Sequence, residues 1–195
     1  MLATFLGPVL TWRTMDEVTG FALAAAAGDR VALQRLVRAT QAEVWRFCAH
    51  LGDPDSADDL TQEVYLRAMK SLPRFRGDAS ARTWLLAIAR RTVADHIRSR
   101  QRRRALAAST PTTSAATASS DGHVALRAVV AQLPDDRREA FVLTQLLGLS
   151  YAETASVCRC PIGTVRSRVA RARAELVAAV REEGEDGLPS SVSTP

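Results

Sequence analysis

Apolar residues recur along this chain at intervals of three and four positions, the spacing at which side chains line one face of an α-helix. One such stripe in the first half comprises Leu33, Leu36, Val37, Val44, Phe47, Cys48 and Leu51, and the next comprises Leu86, Ala89, Val93 and Ile97. Near the C-terminus, a third stripe comprises Val165, Val169, Ala172, Leu176 and Val180. No segment shows the strict alternation of apolar and polar residues that marks a half-buried strand. The pattern therefore predicts an all-α fold.

A low-complexity segment divides the predicted helices into two groups. Residues 105–121 carry mostly small and polar side chains, which is typical of a flexible linker. This linker separates an N-terminal module (16–104) from a C-terminal module (122–183), each predicted to be a small helical domain. We expect the first 15 residues and the last 12 (184–195) to be disordered extensions.

Four helices are predicted in the N-terminal module. The first covers about 16–27, and the second starts near Asp29, a favourable N-cap residue. Ser56 together with Asp59 predicts the start of a third helix that ends near Ser71. The fourth helix is expected from about 81 to 104, where the apolar stripe gives way to a run of arginines.

The C-terminal module ends in two helices joined by a tight turn. Ser150 and Glu153 form a capping box, the signature of a helix start, and Cys160-Pro161 then ends that helix and opens another. The side chains that lie off the apolar stripe of the second helix are Thr164, Arg166, Ser167, Arg168, Arg171 and Arg173. Such a helix pair suits entry into a DNA major groove. The alternative is an ordinary amphipathic pair with a solvated basic face.

Composition agrees with a polyanionic partner and gives no sign of catalysis. The net charge is +5, and aromatic residues are only 5 %, which favours helices over strands. The three cysteines and three histidines lack the spacing of a zinc site, so we expect reduced thiols, no metal and no cofactor. The carboxylates do not converge with a nucleophile or with one another as a catalytic site requires. We therefore expect a protein that is not an enzyme.

The chain shows no convincing targeting segment. Its first fourteen residues include a short apolar run, which is interrupted by Gly7-Pro8 and lacks a basic start. Such a run predicts neither a signal peptide nor a membrane-spanning helix. The sequence therefore predicts a cytoplasmic protein without membrane insertion.

Two charged segments of the N-terminal module are unusual for a plain helical bundle. The third helix begins among acids, and Asp59, Gln62, Glu63 and Tyr65 are expected to form an outer surface that docks a basic partner protein. Acids at a helix start also offset the helix dipole, which is the structural alternative. The other segment, RSRQRRR (98–104), has the density of a phosphate-binding stripe or of a solvated charge run. Nearby Phe75 and Trp84 could stack on unpaired bases, although a core position is the alternative.

Four motifs in order resemble one family. DDLTQEVYLRA, FRGDASARTWLLAIAR, LPDDRREAFVLTQLLGLSYAETA and CPIGTVRSRVARARAEL together resemble the bacterial extracytoplasmic-function (ECF) sigma factors of the sigma-70 family, over about residues 16–180. The resemblance implies sigma regions 2 and 4, joined by a linker. It implies a subunit that binds core RNA polymerase and directs promoter recognition and melting for a specialised gene set, such as a stress response.

The resemblance also implies site residues. The β′ clamp helices of core polymerase would contact Asp58, Asp59, Gln62, Glu63, Tyr65 and Met69. Single-stranded DNA of the −10 element would contact Arg74, Phe75, Arg76, Arg91 and Arg98. Double-stranded DNA of the −35 element would contact Thr164, Arg166, Ser167, Arg168 and Arg171. The helices around 133–147 would lie near the β flap.

One position departs from the pattern of the family. Arg91 stands where many relatives have asparagine, so the −10 sequence preference does not transfer. Many relatives are held inactive by an anti-sigma factor, which makes such a protein a candidate partner. Two other classes compete with this interpretation. A stand-alone transcription regulator would leave the acidic third helix unexplained, and a recombinase or nuclease would need a catalytic site that the sequence does not show.

Overall fold

Every regular element is helical in the computed structural model, which describes residues 12–107 and 122–185. The N-terminal domain contains α1 (Trp12–Ala26), α2 (Arg30–Leu51), α3 (Ala57–Ser71) and α4 (Ala81–Ala107). The C-terminal domain contains α5 (Gly122–Gln132), α6 (Asp135–Phe141), α7 (Tyr151–Cys158) and α8 (Ile162–Glu185). A π-helical turn, Val142–Leu146, continues α6. The all-α prediction is confirmed.

Local chemistry fixes the start and the end of α2. The Asp29 carboxylate accepts hydrogen bonds from the backbone N–H groups of Val31 (2.8 Å) and Ala32 (3.0 Å), as an N-cap does. At the other end, a Cβ on Gly52 would lie only 2.7 Å from the Cys48 carbonyl oxygen. A residue without a side chain is therefore required where the chain leaves α2 for α3.

The core of the N-terminal domain is formed by the predicted apolar stripes. Phe47 of α2, Val64 of α3 and Leu86 of α4 are almost completely buried. Ala22 of α1 is also fully buried in the same cluster. Burial of a large apolar side chain contributes about 1.5–3 kcal/mol to folding, so these residues hold α1–α4 in one bundle.

The helix-turn-helix of the C-terminal domain also follows the sequence. Ser150 and Glu153 form both hydrogen bonds of the capping box at the start of α7. Arg159 ends α7 in the left-handed conformation (φ 53°), which turns the chain into α8. Val165 and Val169 of α8 are buried against the rest of the domain. The predicted capping box and turn are confirmed.

The two domains pack directly on each other. Helix α7 lies against α4, and Leu147, Leu149 and Val157 belong to the same buried cluster as Leu86. Polar contacts also cross this interface. Arg90 of α4 forms an ion pair with Glu139 of α6, and Arg82 of α4 donates a hydrogen bond to the Leu147 carbonyl. The sequence did not predict this docking.

Several predicted boundaries differ from the structure. Helix α1 starts at Trp12, α4 continues to Ala107 and α8 continues to Glu185, so residues at the edges of the expected disordered segments are helical. Helix α3 starts directly after Ser56, as predicted, but the Ser56 side chain makes no capping hydrogen bond. A short 3₁₀ turn, Pro54–Ser56, leads into α3 instead. The rest of the predicted extensions and linker (1–11, 108–121 and 186–195) lies outside the described residues.

Candidate partner and nucleic-acid interfaces

Helix α3 presents an acidic and apolar outer face. Asp58, Asp59, Gln62 and Met69 are all exposed there; Asp59 and Gln62 were predicted at the surface, and Asp58 and Met69 were implied by the resemblance. Glu63 is half-buried because its carboxylate binds Arg67, 2.7 Å away. We call these five residues the α3 face (Asp58, Asp59, Gln62, Glu63 and Met69). The face combines negative charge with one large apolar side chain in a protein that is basic overall.

Tyr65 does not belong to this face, so its predicted outward position is wrong. Its side chain lies in the core with 8 % of its surface exposed, and its hydroxyl lies 2.7 Å from the Thr40 hydroxyl. Burial raises the pKa of the Tyr65 phenol to about 12. The periodicity of α3 could have shown this, because Ala57, Leu60, Val64 and Ala68 define a buried stripe that Tyr65 borders.

Two exposed apolar residues beside the α3 face were missed by the sequence reasoning. Trp45 of α2 is 38 % exposed, and Leu66 of α3 is 47 % exposed. The indole Nε1 of Trp45 donates a hydrogen bond of 2.9 Å to the Asp58 carboxylate, which fixes the ring beside the acids. Trp45 lies off the apolar stripe of α2, and this position is the sequence signal that could have predicted its exposure.

The candidate −10 residues fall into two groups. Arg74 and Arg76 are exposed in the loop between α3 and α4, whereas Phe75 between them is half-buried. The Phe75 ring packs on Trp84 with 4.9 Å between ring centroids and 46° between ring planes. The two aromatics therefore pack as a pair beneath the loop.

The second −10 group lies on the outer side of α4. Arg91 is exposed and forms no hydrogen bond or ion pair within the described ranges 12–107 and 122–185. Arg98 is 67 % exposed, but its guanidinium lies 2.6 Å from the Asp95 carboxylate. Two bonded arginines, Arg67 and Arg98, hold the pKa of Asp95 below its usual range. Arg91 is thus free for a ligand, while Arg98 already has an internal partner.

Four of the five candidate −35 residues have outward or partly open positions on α8. Arg166, Ser167 and Arg171 are exposed, and Thr164 is half-buried one turn from the helix start. Arg168 differs from the prediction, because it faces inward with 26 % of its side chain exposed. It binds Asp136 of α6 (3.1 Å) and donates to the Cys160 thiol (3.8 Å).

The docked domains bring candidate DNA contacts of both groups to one cleft. Arg91 and Arg98 of α4 and Arg168 of α8 line a cleft of about 880 Å³ between the domains. Apolar residues such as Phe47 and Ile97 form part of its wall. Arg74 and Arg76 do not line this cleft.

The thiols and carboxylates show no catalytic or metal-binding arrangement in the part of the chain that the structure describes. Cys48, Cys158 and Cys160 are free thiols, and burial raises the pKa of Cys48 to about 11. No group of three or more histidine, cysteine or acidic side chains within the described ranges is placed to hold a metal ion. None of the described helices is long and apolar enough to cross a membrane.

Fold and surfaces together define a class of two-domain helical proteins with a helix-turn-helix, an arginine-rich helix and an acidic outer face. Within this class, the sequence matches the models of one protein family in both domains. Residues 36–103 match the family model for sigma-70 region 2, and residues 123–176 match the model for sigma-70 region 4. The chain belongs to the ECF group of the sigma-70 family. It is a sigma factor, the non-catalytic subunit that directs RNA polymerase to specific promoters.

Curated relatives support this assignment over most of the chain. The ECF RNA polymerase sigma factor SigC of Mycobacterium tuberculosis is 53 % identical over 171 residues, which cover 84 % of this chain and 91 % of the relative. The ECF RNA polymerase sigma-E factor of Escherichia coli is 34 % identical over 163 residues, covering 75 % and 85 %.

Solved structures of similar proteins show the same fold. The sigma factor RpoE from Bartonella quintana, solved in complex with the anti-sigma factor NepR, aligns with a TM-score of 0.69 and 27 % identity. The alignment covers 76 % of this chain and 96 % of that one. CnrH, solved with the cytosolic domain of CnrY, aligns with a TM-score of 0.68 and 26 % identity over 84 % and 97 % of the two chains.

The buried position of Tyr65 leads to a prediction. Tyr65→Phe removes the hydrogen bond with Thr40 and should lower the free energy of unfolding by about 0.5–1.5 kcal/mol. Denaturant unfolding followed by circular dichroism measures this change. Because the hydroxyl is internal, affinity for core polymerase should stay at the wild-type value. A variant of wild-type stability that binds polymerase poorly would show that the hydroxyl reaches the partner.

Proposed function

We propose that the α3 face binds core RNA polymerase, that the loop at Arg74–Arg76 and helix α4 bind the −10 element, and that α8 binds the −35 element. The observation that supports this proposal is the exposure of Asp59 on α3, Arg74 in the loop before α4 and Arg171 on α8, three different elements of a sigma-factor fold. Run-off transcription with core polymerase, with and without this chain, tests it. New discrete start sites that need the chain are expected.

The α3 face has the chemistry of a protein-docking surface. Asp59, Gln62 and Met69 are exposed, and Trp45 and Leu66 add apolar area beside them. Tryptophan is enriched among residues that dominate binding energy at interfaces. Asp58 already accepts a hydrogen bond from Trp45, so it orients the ring as well as adding charge. We propose the β′ clamp helices of core polymerase as the partner, which should offer basic and apolar side chains.

Charge reversal at Asp59 tests the docking surface. Asp59→Arg places a positive charge opposite a basic partner, so affinity for core polymerase should fall at least about ten-fold, or about 1.4 kcal/mol. Titration with labelled core polymerase measures the affinity. Glu17→Arg is the matched control, since Glu17 is an exposed acid on α1 and lies outside the α3 face. Equal losses for the two variants would count against a local docking site.

The loop and helix α4 offer arginines to a single DNA strand. Arg74 and Arg76 are exposed in the loop, and Arg91 and Arg98 lie farther along α4. Arg102, Arg103 and Arg104 extend the positive charge to the end of the helix and are exposed. Arginine contacts to phosphates supply affinity, and aromatic rings such as Phe75 add stacking to unpaired bases. We infer that melted −10 DNA follows this path.

The outer side of α8 is the proposed reading surface for the −35 element. Arg166, Ser167 and Arg171 are exposed on the second helix of the helix-turn-helix, which is the helix that enters the major groove in such motifs. Arg168 would first have to leave Asp136. Arg166 and Arg171 therefore need no rearrangement to contact base edges or phosphates.

Truncation of Arg171 tests this assignment. Arg171→Ala should weaken binding to −35 duplex DNA by about 1–3 kcal/mol if Arg171 contacts a base edge. Fluorescence anisotropy with a −35 duplex and a scrambled duplex separates base contacts from phosphate contacts. Arg181→Ala is the control, because Arg181 is an exposed arginine ten positions farther along the same helix. An Arg171 variant with wild-type affinity for both duplexes would exclude the residue from the interface.

The docked arrangement must open for both DNA elements to be bound. Two promoter elements about two duplex turns apart are separated by roughly 70 Å, whereas Arg91, Arg98 and Arg168 line one cleft here. The Arg90–Glu139 ion pair and the hydrogen bond from Arg82 to the Leu147 carbonyl join polar groups across the interface. We infer that polymerase binding accompanies separation of the domains, with residues 108–121 as the connection.

Charge reversal at Arg90 tests whether its ion pair stabilises docking. Arg90→Glu places a second acid beside Glu139 and should weaken docking by about 1–3 kcal/mol. Small-angle X-ray scattering of the full chain should then give a larger radius of gyration. Arg137→Glu is the control, because Arg137 pairs with Glu175 inside the C-terminal domain. An unchanged radius for Arg90→Glu would show that the apolar contacts hold the domains without the ion pair.

The relatives suggest further partners and a location. The Bartonella quintana sigma factor was solved with an anti-sigma factor, so we propose that an anti-sigma factor binds this chain as well. We place the protein in the cytoplasm with the polymerase. Its target genes are proposed to form a specialised set such as a stress response.

A further inference from the structure

Three ion pairs in series connect helix α3 with the outer side of helix α4. Arg67 lies 2.7 Å from the Glu63 carboxylate through Nε and 2.7 Å from the Asp95 carboxylate through Nη1. The other oxygen of Asp95 lies 2.6 Å from Nη2 of Arg98. The order along this series is therefore Glu63, Arg67, Asp95 and Arg98, and we call it the α3–α4 relay.

Each inner member of the relay is bonded to a neighbour on both sides. Asp95 binds Arg67 through Oδ2 and Arg98 through Oδ1, so each carboxylate oxygen has one arginine. Hydrogen bonds from Arg67 and then Arg98 hold the pKa of Asp95 below its usual range, so Asp95 is ionised at neutral pH. A change in what Arg67 binds must therefore change what Asp95 offers to Arg98.

The two ends of the relay lie in two different proposed interfaces. Glu63 belongs to the α3 face, which is proposed to bind polymerase, and Arg98 is a proposed −10 contact. We propose that Arg67 and Asp95 are positioning residues that couple polymerase binding at Glu63 to release of Arg98 for DNA. This inference rests on the proposed function of both surfaces.

The geometry sets the direction of the coupling. When a basic group of the polymerase takes Glu63, Arg67 can turn its planar pair of donors onto Asp95, since arginine binds a carboxylate with two parallel hydrogen bonds. Arg67 then competes with Arg98 for Oδ1 of Asp95, which weakens the Asp95–Arg98 pair and makes Arg98 more available to the DNA. Because coupling between two binding sites is reciprocal, DNA held by Arg98 should also favour polymerase binding.

The exposure of these side chains sets the size of the effect. The exposed fractions are 37 % for Arg67, 45 % for Asp95 and 67 % for Arg98, so each pair is partly screened by water. Pairs of this kind change an equilibrium by about two- to five-fold. The relay should therefore change the availability of Arg98 to DNA by a few-fold and should not hold Arg98 in one state.

The test measures the affinity of the full chain for core polymerase with and without a single-stranded −10 oligonucleotide. The coupling is the dissociation constant for polymerase without the oligonucleotide divided by the dissociation constant with it. Asp95→Asn should lower this ratio by about two- to five-fold, and should let the free chain bind the oligonucleotide about two- to five-fold more tightly. Adding Arg98→Ala to Asp95→Asn should abolish that gain.

Asp53→Asn is the matched control. Asp53 precedes α3 and pairs with Arg100 of α4, the helix that also carries Arg98. Among the described residues, no ion pair connects this Asp53–Arg100 pair to Glu63. The control should keep the wild-type ratio, which separates release of Arg98 from the general loss of an acid near DNA. A wild-type ratio in Asp95→Asn, or an equal fall in Asp53→Asn, would overturn the relay.

Failure of the relay can be told from failure of the proposed interfaces. If Glu63→Gln and Asp59→Arg both leave polymerase affinity unchanged, the proposed α3 face is wrong. If those variants weaken binding while Asp95→Asn keeps the wild-type ratio, the interfaces stand and only the relay is wrong. Thermal unfolding of each variant confirms that the fold is retained.

Discussion

Burial of helix α4 on more than one side is the constraint on which the rest of the structure depends. Leu85, Leu86 and Ala89 are buried as α4 packs on the N-terminal bundle, and α7 of the C-terminal domain packs on α4 as well. Removal of this apolar surface from water is the main favourable contribution to such packing. Because these contacts occupy the first half of the helix, its arginine-rich second half is left at the surface.

The ion pairs around this core differ in how much of each side chain is exposed to water. Glu43 and Arg82 are only 15–16 % exposed and join α2 to α4, and breaking a pair so buried leaves an uncompensated charge. Across the domain interface, Glu139 is well buried while Arg90 is 36 % exposed. The relay from Glu63 to Arg98 is more exposed still. Stability is thus concentrated within the N-terminal bundle, and the contacts near the proposed interfaces are weaker and easier to exchange.

The candidate sites show where sequence reasoning succeeds and where it stops. Asp59 and Gln62 were predicted to lie on the outer surface of α3, and Met69 was implied by the resemblance to ECF sigma factors; all three are exposed. Tyr65 was predicted at the surface, but its side chain lies in the core, where its hydroxyl is hydrogen-bonded to the hydroxyl of Thr40 on a neighbouring helix. Arg168 was expected to face outward, but Asp136 on α6 draws it inward. Both differences depend on a partner that is distant in sequence.

The sequence by itself determined the helices, the capping box at Ser150, the two-part organisation and the family. Each of these depends on residues within about one or two helical turns, or on short motifs whose order is visible in the chain. Only the tertiary structure decided that α7 docks on α4, that Asp95 bridges Arg67 and Arg98, and that Arg91 and Arg168 share one cleft. The physical reason is that these contacts join side chains on different helices, and periodicity along one helix does not specify which neighbour its exposed face will meet.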